Sequence, residues 1–186
     1  IWVGPELETA LEKPLQNLPP KVILTLTQKK DFEWLAFEGT AHHHEETNSH
    51  GHGHDHEHNH DAKSIDPHLW LDPVRMQRFV TLLKQELSRI DPEHREVYAQ
   101  NHQKLSQKLL ALEQSLAQSL QEVRGQAFVV VHDGYQYWVK AFQLNQVGTL
   151  TENPHIPLSL KKIQDVRQTL QKQSVVCIFI EPGLSE

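Results

Sequence analysis

The sequence predicts an α/β protein of two lobes joined by one long rigid helix, and three patterns carry that expectation. Residues 127–131 are a continuous apolar run, Ala-Phe-Val-Val-Val, as in a parallel strand covered on both faces. From Gly125 onward, strand and helix patterns alternate, which is the signature of an α/β lobe. Between Asp91-Pro92 and Gly125 the apolar residues keep a helical spacing far longer than an ordinary helix of ~11 residues.

Taken in order, Ile1 to Gly4 reads as the end of a strand, with Gly4-Pro5 as its turn. Leu7, Leu11 and Leu15 mark a short helix that stops near Pro19-Pro20, and Lys21 to Leu26 is the next strand. Phe32, Trp34, Leu35 and Phe37 show no period, so residues 27–41 are expected to be a loop with an aromatic anchor. Asp72-Pro73 starts a helix, with the aspartate as N-cap and the proline at the first helical position. Met76, Phe79, Val80, Leu83, Leu87 and Ile90 line one face of it. Asp91-Pro92 repeats the start signal, and Tyr98, Leu105, Leu109, Leu112, Leu116, Leu120 and Val123 continue at 3–4 spacing. At 1.5 Å per residue this helix is expected to run roughly 45–50 Å. A short helix on Tyr135, Trp138, Val139 and Phe142 and a strand at 146–150 follow. A helix capped by Ser159 and a buried strand at 175–180 complete the pattern.

Composition narrows the function. The chain has 186 residues, enough for one or two compact units, with 38% hydrophobic residues and a formal net charge of −6. No basic stripe is present, which argues against a nucleic-acid partner; a mildly acidic surface suits a soluble cation. No run approaches the roughly 20 apolar residues needed to cross a bilayer. Ile1-Trp2-Val3-Gly4-Pro5 has neither a charged segment nor a long apolar one, so no signal peptide is expected in this stretch. The single methionine is Met76, so Ile1 reads as the start of a processed or truncated chain.

Nine of the fourteen histidines, His42, His43, His44, His50, His52, His54, His56, His58 and His60, crowd into one stretch interleaved with acids and almost without apolar side chains. Such a segment builds no core. It does offer many imidazoles, the commonest protein ligand for zinc and its neighbours. A solvated low-complexity linker is the plainer alternative, although a purification tag is usually an unbroken terminal run.

Two further histidines stand at element ends: His132 where the strand at 127–131 stops, and His68 just ahead of the helix that Asp72-Pro73 starts. In open α/β sheets ligands bind at the carboxyl ends of strands. A lone histidine is more often a hydrogen-bonded structural residue. Two of them on either side of a long helix, beside a histidine run, let two lobes close on one metal ion. His94, His102 and His155 are expected on solvated surfaces, Glu6 is expected to be exposed, and Trp70 and Trp138 are expected to pack cleft walls.

Asp66-Pro67-His68-Leu69-Trp70-Leu71-Asp72-Pro73, the acidic histidine run before it, Trp2-Val3-Gly4-Pro5-Glu6, Val131-His132-Asp133-Gly134-Tyr135 and Phe179-Ile180-Glu181-Pro182 together resemble the zinc-specific substrate-binding proteins of bacterial ABC importers, the ZnuA type. The resemblance covers the whole chain in the right order. It implies a monomeric periplasmic protein that holds Zn²⁺ between two α/β lobes and delivers it to a membrane permease. On that basis residues 1–90, with the histidine-rich loop 42–61, belong to the first lobe, 91–125 to the linking helix and 126–186 to the second lobe. His68 and His132 occupy the positions of two metal ligands, and the loop histidines supply auxiliary weak sites. The family's first ligand histidine precedes the Trp-Val-Gly-Pro segment, and the rest of the second lobe follows the position of Glu186. The chain is therefore expected to be a middle piece that binds loosely at His68 and His132. The resemblance also implies an oxidising compartment, where the odd cysteine, Cys177, is expected to be buried in its strand and to pair in a disulfide with a partner outside this chain.

Two other functions compete. A metal buffer or chaperone acting through the loop explains the loop but gives the α/β lobes no task. A zinc hydrolase lacks a close-spaced His-Glu-x-x-His motif, and Asp133 is its best and poor general base. Manganese is the alternative metal; histidine at position 132, where related manganese importers often carry a carboxylate, favours zinc.

Overall fold

The computed structural model describes residues 1–19, 23–36, 65–151 and 159–181. At the front, Trp2 and Thr25 meet in a parallel bridge, held by Trp2 N–H to the Leu24 carbonyl at 3.0 Å and Leu26 N–H to the Trp2 carbonyl at 3.1 Å. The two expected strands therefore pair, but only as a single bridge. Gly4 turns the chain where a Cβ would collide with the Thr27 side chain, so the turn requires glycine. A 3-10 turn at Thr9–Leu11 leads into α1 (Glu12–Gln16), whose neighbours Leu7 and Leu11 stay exposed. The aromatic anchor forms as expected: Phe32, in a 3-10 turn at Lys30–Phe32, is 1% exposed and packs on Trp34 with ring centroids 5.6 Å apart. Phe37 lies outside the described residues, as does the histidine run at 42–60.

α2 (Pro73–Ile90) begins where Asp72 predicts it, the carboxylate accepting Val74 N–H at 2.8 Å. The second aspartate–proline start behaves differently. Pro92–His94 is a 3-10 turn and α3 (Arg95–Leu120) follows it, because the Asp91 carboxylate is taken by the Tyr98 hydroxyl at 2.6 Å and His94 Nδ1 at 2.9 Å rather than by backbone N–H groups. Those contacts hold Asp91 below the usual carboxylate range, Tyr98 contributing most. The 26 residues of α3 extend roughly 39 Å, shorter than expected because the last turn, Gln121–Val123, tightens to 3-10. α3 folds back along α2, with Thr81 Oγ1 3.0 Å from His102 Nε2. His102 thus faces α2 rather than solvent. The predicted stripe on α3 is split: Leu109, Leu116 and Leu120 turn inward, while Leu105 and Leu112 remain exposed.

Beyond Gly125, β1 (Ala127–His132), α4 (Gln136–Phe142), β2 (Asn145–Thr151), α5 (Leu160–Lys172) and β3 (Cys177–Phe179) alternate as the sequence requires. Ser159 caps α5 by accepting Lys162 N–H. The strands form a parallel sheet in the order β2-β1-β3, so the apolar β1 is central and Val129 and Val130 are fully buried. β3 corrects an expectation. Among the described residues it lies at one edge of the sheet, α5 packs on β2 at the other, and Cys177 is exposed rather than buried.

One side chain joins the two halves. A cluster of buried residues collects Leu26, Phe32 and Leu69 from before α2, and its fourth member is Tyr137 from α4. The Tyr137 hydroxyl accepts Leu35 N–H at 2.9 Å and donates to the Asp66 carbonyl at 2.9 Å, while the Arg75 guanidinium lies 4.9 Å from its ring centre. Burial pushes that hydroxyl up to about 12, against the pull of the Leu35 N–H. Tyr137→Phe leaves both backbone groups unpaired and is expected to cost about 1–3 kcal/mol in urea unfolding. A phenol whose folded pKa is raised contributes stability that is complete below the ordinary value of 10.0 and lost as pH rises through about 12. The gap between wild type and Tyr137→Phe should therefore narrow across that window.

Candidate metal centre

His68 is placed by what surrounds it in sequence. Leu69 opens the 3-10 turn Leu69–Leu71 and is 2% exposed against the core, and Asp72 then caps α2, so the chain is pinned immediately after His68. Before it, Asp66 is fully buried, and its N–H donates to the Leu35 carbonyl at 2.8 Å. Asp66 Oδ1 accepts the backbone N–H of His68 at 3.0 Å and stands 2.7 Å from His68 Nδ1. Trp70 lies edge-on to the His68 ring at 5.2 Å and is 42% exposed, so it flanks the site rather than filling a wall.

His132 is the last residue of β1. Asp133 N–H continues the ladder to the Thr151 carbonyl at 2.8 Å, and Gly134 N–H turns back to the His132 carbonyl at 2.9 Å. His132 Nδ1 lies 3.3 Å from Glu181 Oε1, two residues past the end of the neighbouring strand β3. Parallel neighbours bring their carboxyl ends to the same edge, which is why these residues meet. Glu181 also receives the Tyr135 hydroxyl; burial first, and then the Glu181 charge, hold that phenol above its ordinary range. Phe179 packs against Phe128, Tyr135 and Trp138, which anchors the strand that carries Glu181. Trp138 thus packs the wall behind the site as expected.

The two histidines come together. Their ring centroids are 4.9 Å apart at 73°, edge to face, and both side chains are nearly buried. Gly134 lies against both: a Cβ there would sit 3.2 Å from His132 Cε1 and 3.3 Å from His68 Cδ2. The arrangement can offer an ion two imidazoles, one from each side of α3. Among the described residues no group of three His, Cys, Asp or Glu side chains is placed to hold a metal ion. The Asp133 carboxylate, next to His132 in the chain, is buried and accepts Gln136 Nε2 at 3.3 Å.

Of the other residues singled out from sequence, Glu6 is exposed and His94 is tied to Asp91 on the surface. His155 and the nine loop histidines lie outside the described residues. Asp66, Gly134 and Glu181 entered only as parts of motifs, and Tyr137 was not singled out at all. The strand-end argument used for His132 applies equally to Glu181, and Asp-x-His is a spacing at which an aspartate can bond the backbone two residues on.

The family model for the periplasmic component A of the zinc-uptake complex matches residues 1–186. The chain belongs to the ZnuA family. Among curated ZnuA proteins, that of Brucella abortus (strain 2308) is 34% identical over 205 residues, covering 98% of this chain and 61% of its own length. That of Yersinia pestis is 29% identical over 192 residues, covering 98% of this chain and 59% of its own length. The chain thus spans about three fifths of these relatives. Solved structures agree on the fold. A Zn(II)-bound AdcAII variant of Streptococcus pneumoniae superposes with a TM-score of 0.59 at 27% identity, over 66% of this chain and 46% of that one. A ZnuA crystal structure gives 0.55 at 27% identity, over 61% and 45%. The α/β architecture with its long helix is therefore that of the ZnuA and AdcA type of binding protein.

Because Gly134 is the floor under both rings, Gly134→Ala is expected to push them apart and to cost about 1–3 kcal/mol by overpacking. NOESY cross-peaks between His68 and His132 ring protons should be present in the wild type and weakened in the variant.

Proposed function

We propose that this chain forms part of a periplasmic zinc-binding protein that takes Zn²⁺ between His68 and His132 and passes it to the membrane permease of an ABC importer. The observation that carries this reading is the edge-to-face contact of the two imidazoles, one from before α3 in the chain and one from after it. Family membership supports zinc as the ion, and imidazole donors suit zinc better than manganese. In this reading residues 1–90 and 126–186 belong to two lobes, and 91–125 is the rigid link between them. In this reading the protein binds and releases and performs no chemistry, as family membership supports. Residues 42–61 supply an auxiliary store of nine histidines, whereas His68 and His132 are held at element ends, which lowers the cost of binding there. The store therefore binds several ions weakly and the cleft binds one more tightly. Cys177, exposed at the sheet edge, is free to pair with a cysteine outside this chain.

Calorimetric zinc titration against a competing chelator tests the division of labour. In the full-length protein, deleting residues 42–61 should lower the number of ions bound and leave the tightest phase. His68→Ala or His132→Ala should remove that phase, a loss larger than the roughly 10–100-fold that removal of an outer-shell partner costs. If the deletion abolished the tightest phase and the two alanine variants kept it, the loop would be the site and the metal-buffer reading would replace this one.

A further inference from the structure

The two imidazoles are held in the same way by unlike elements. Asp66 Oδ1 already accepts the backbone N–H of His68 at 3.0 Å, so it faces His68 Nδ1, 2.7 Å away, as an acceptor. That places the ring proton on Nδ1 and leaves the lone pair on Nε2. On the other side the Glu181 carboxylate stands 3.3 Å from His132 Nδ1 while receiving the Tyr135 hydroxyl. Asp66 is fully buried, and its Oδ2 has no hydrogen-bond partner among the described residues. A buried carboxylate held this way is costly to place, and the acceptor it aims at His68 Nδ1 accounts for its position. Its backbone is fixed on both sides, the Asp66 N–H donating to the Leu35 carbonyl and the Asp66 carbonyl accepting the Tyr137 hydroxyl, and its Oδ1 is held by the His68 N–H.

We infer that Asp66 and Glu181 are positioning residues that fix His68 and His132 in one tautomer, each with Nδ1 protonated and Nε2 presented to a shared divalent cation. This rests on the reading that the two rings hold the ion. It goes beyond that reading by assigning which nitrogen of each ring binds and which residue decides it. A ligating histidine whose second nitrogen bonds a carboxylate is both oriented and made a better donor. Here each lobe would bring its own carboxylate–imidazole pair: the aspartate two residues before its histidine, and the glutamate from the adjacent strand.

The test is ¹⁵N–¹H correlation spectroscopy of histidine-labelled chain, free of metal, at a pH where imidazoles are neutral. His68 and His132 signals are identified from their loss in His68→Gln and His132→Gln. Both rings should show the pattern of a protonated Nδ1. Asp66→Ala should let His68 exchange between tautomers and leave His132 unchanged, and Glu181→Ala should do the converse. Asp66→Asn keeps an acceptor oxygen and should restore the His68 pattern. Zinc affinity should fall by roughly 10–100-fold in the alanine variants and recover largely in Asp66→Asn. A protonated Nε2 on His68 in the unsubstituted chain, or a His68 pattern indifferent to Asp66→Ala, would overturn the inference. Should Asp66→Ala fail to fold, the unsubstituted chain and the part-exposed Glu181→Ala decide it, with His132 indifferent to Glu181→Ala counting against. The tautomers with zinc moving neither ring would support the positioning pairs and sink the cleft site. Zinc moving both rings in the opposite tautomer would do the reverse.

Discussion

The structure depends on one hydroxyl. Tyr137 carries its ring into the cluster of Leu26, Phe32 and Leu69, and its oxygen sits between the Leu35 N–H and the Asp66 carbonyl. Everything near the candidate centre is referred to that point. Asp66 continues into His68, and α4, which carries Tyr137, begins four residues after His132. Fixing Tyr137 against Leu35 and Asp66 therefore fixes the separation of the two imidazoles. The ring's burial contributes about 1.5–3 kcal/mol, and each of its two hydrogen bonds about 1 kcal/mol. The larger effect is the penalty for removing them, because the backbone groups they satisfy are buried. Arg75 adds a second tie: its Nε donates to the Phe32 carbonyl at 3.0 Å and its Nη1 pairs with Asp72, the cap of α2. The cap, the aromatic anchor and the latch are thus one connected network.

α3 serves a different purpose. It has no buried residue along its 26, and its inner row is packed only in part, against α2 and α4. A helix so exposed contributes length rather than core. It carries the chain from the elbow at Asp91, where Tyr98 and His94 lock the carboxylate, back to the start of β1. The latch therefore, rather than the long helix, holds the two histidines together.

Much of this was legible in the sequence, for identifiable reasons. The caps at Asp72 and Ser159, the apolar β1 and the alternation after Gly125 are local signals whose physics acts within a few residues. His68 and His132 were singled out because strand and helix ends are where α/β folds bind ligands, and the structure brings their rings together. What could not be read depended on distant partners. Asp91-Pro92 has the same local signal as Asp72-Pro73, yet its carboxylate is captured by Tyr98 seven residues on, and the helix starts late. Cys177 sits in an apolar run that reads as core, yet among the described residues β3 lies at the sheet's edge and Cys177 is exposed. Tyr137 is not among the residues whose spacing marks that short helix, and its hydroxyl's partners are 102 and 71 residues away. The carboxylates beside the histidines escaped notice because nothing in composition or period distinguishes Asp66 from a turn residue or Glu181 from a surface one.

The central claim is that a latch between two halves of the fold brings His68 and His132 onto one ion. X-ray absorption at the zinc edge, on chain lacking residues 42–61 and loaded with one equivalent of zinc, tests it most directly. The account predicts multiple-scattering features of two imidazoles, of which one disappears in His68→Ala and the other in His132→Ala. An imidazole count that both substitutions leave unchanged would contradict it.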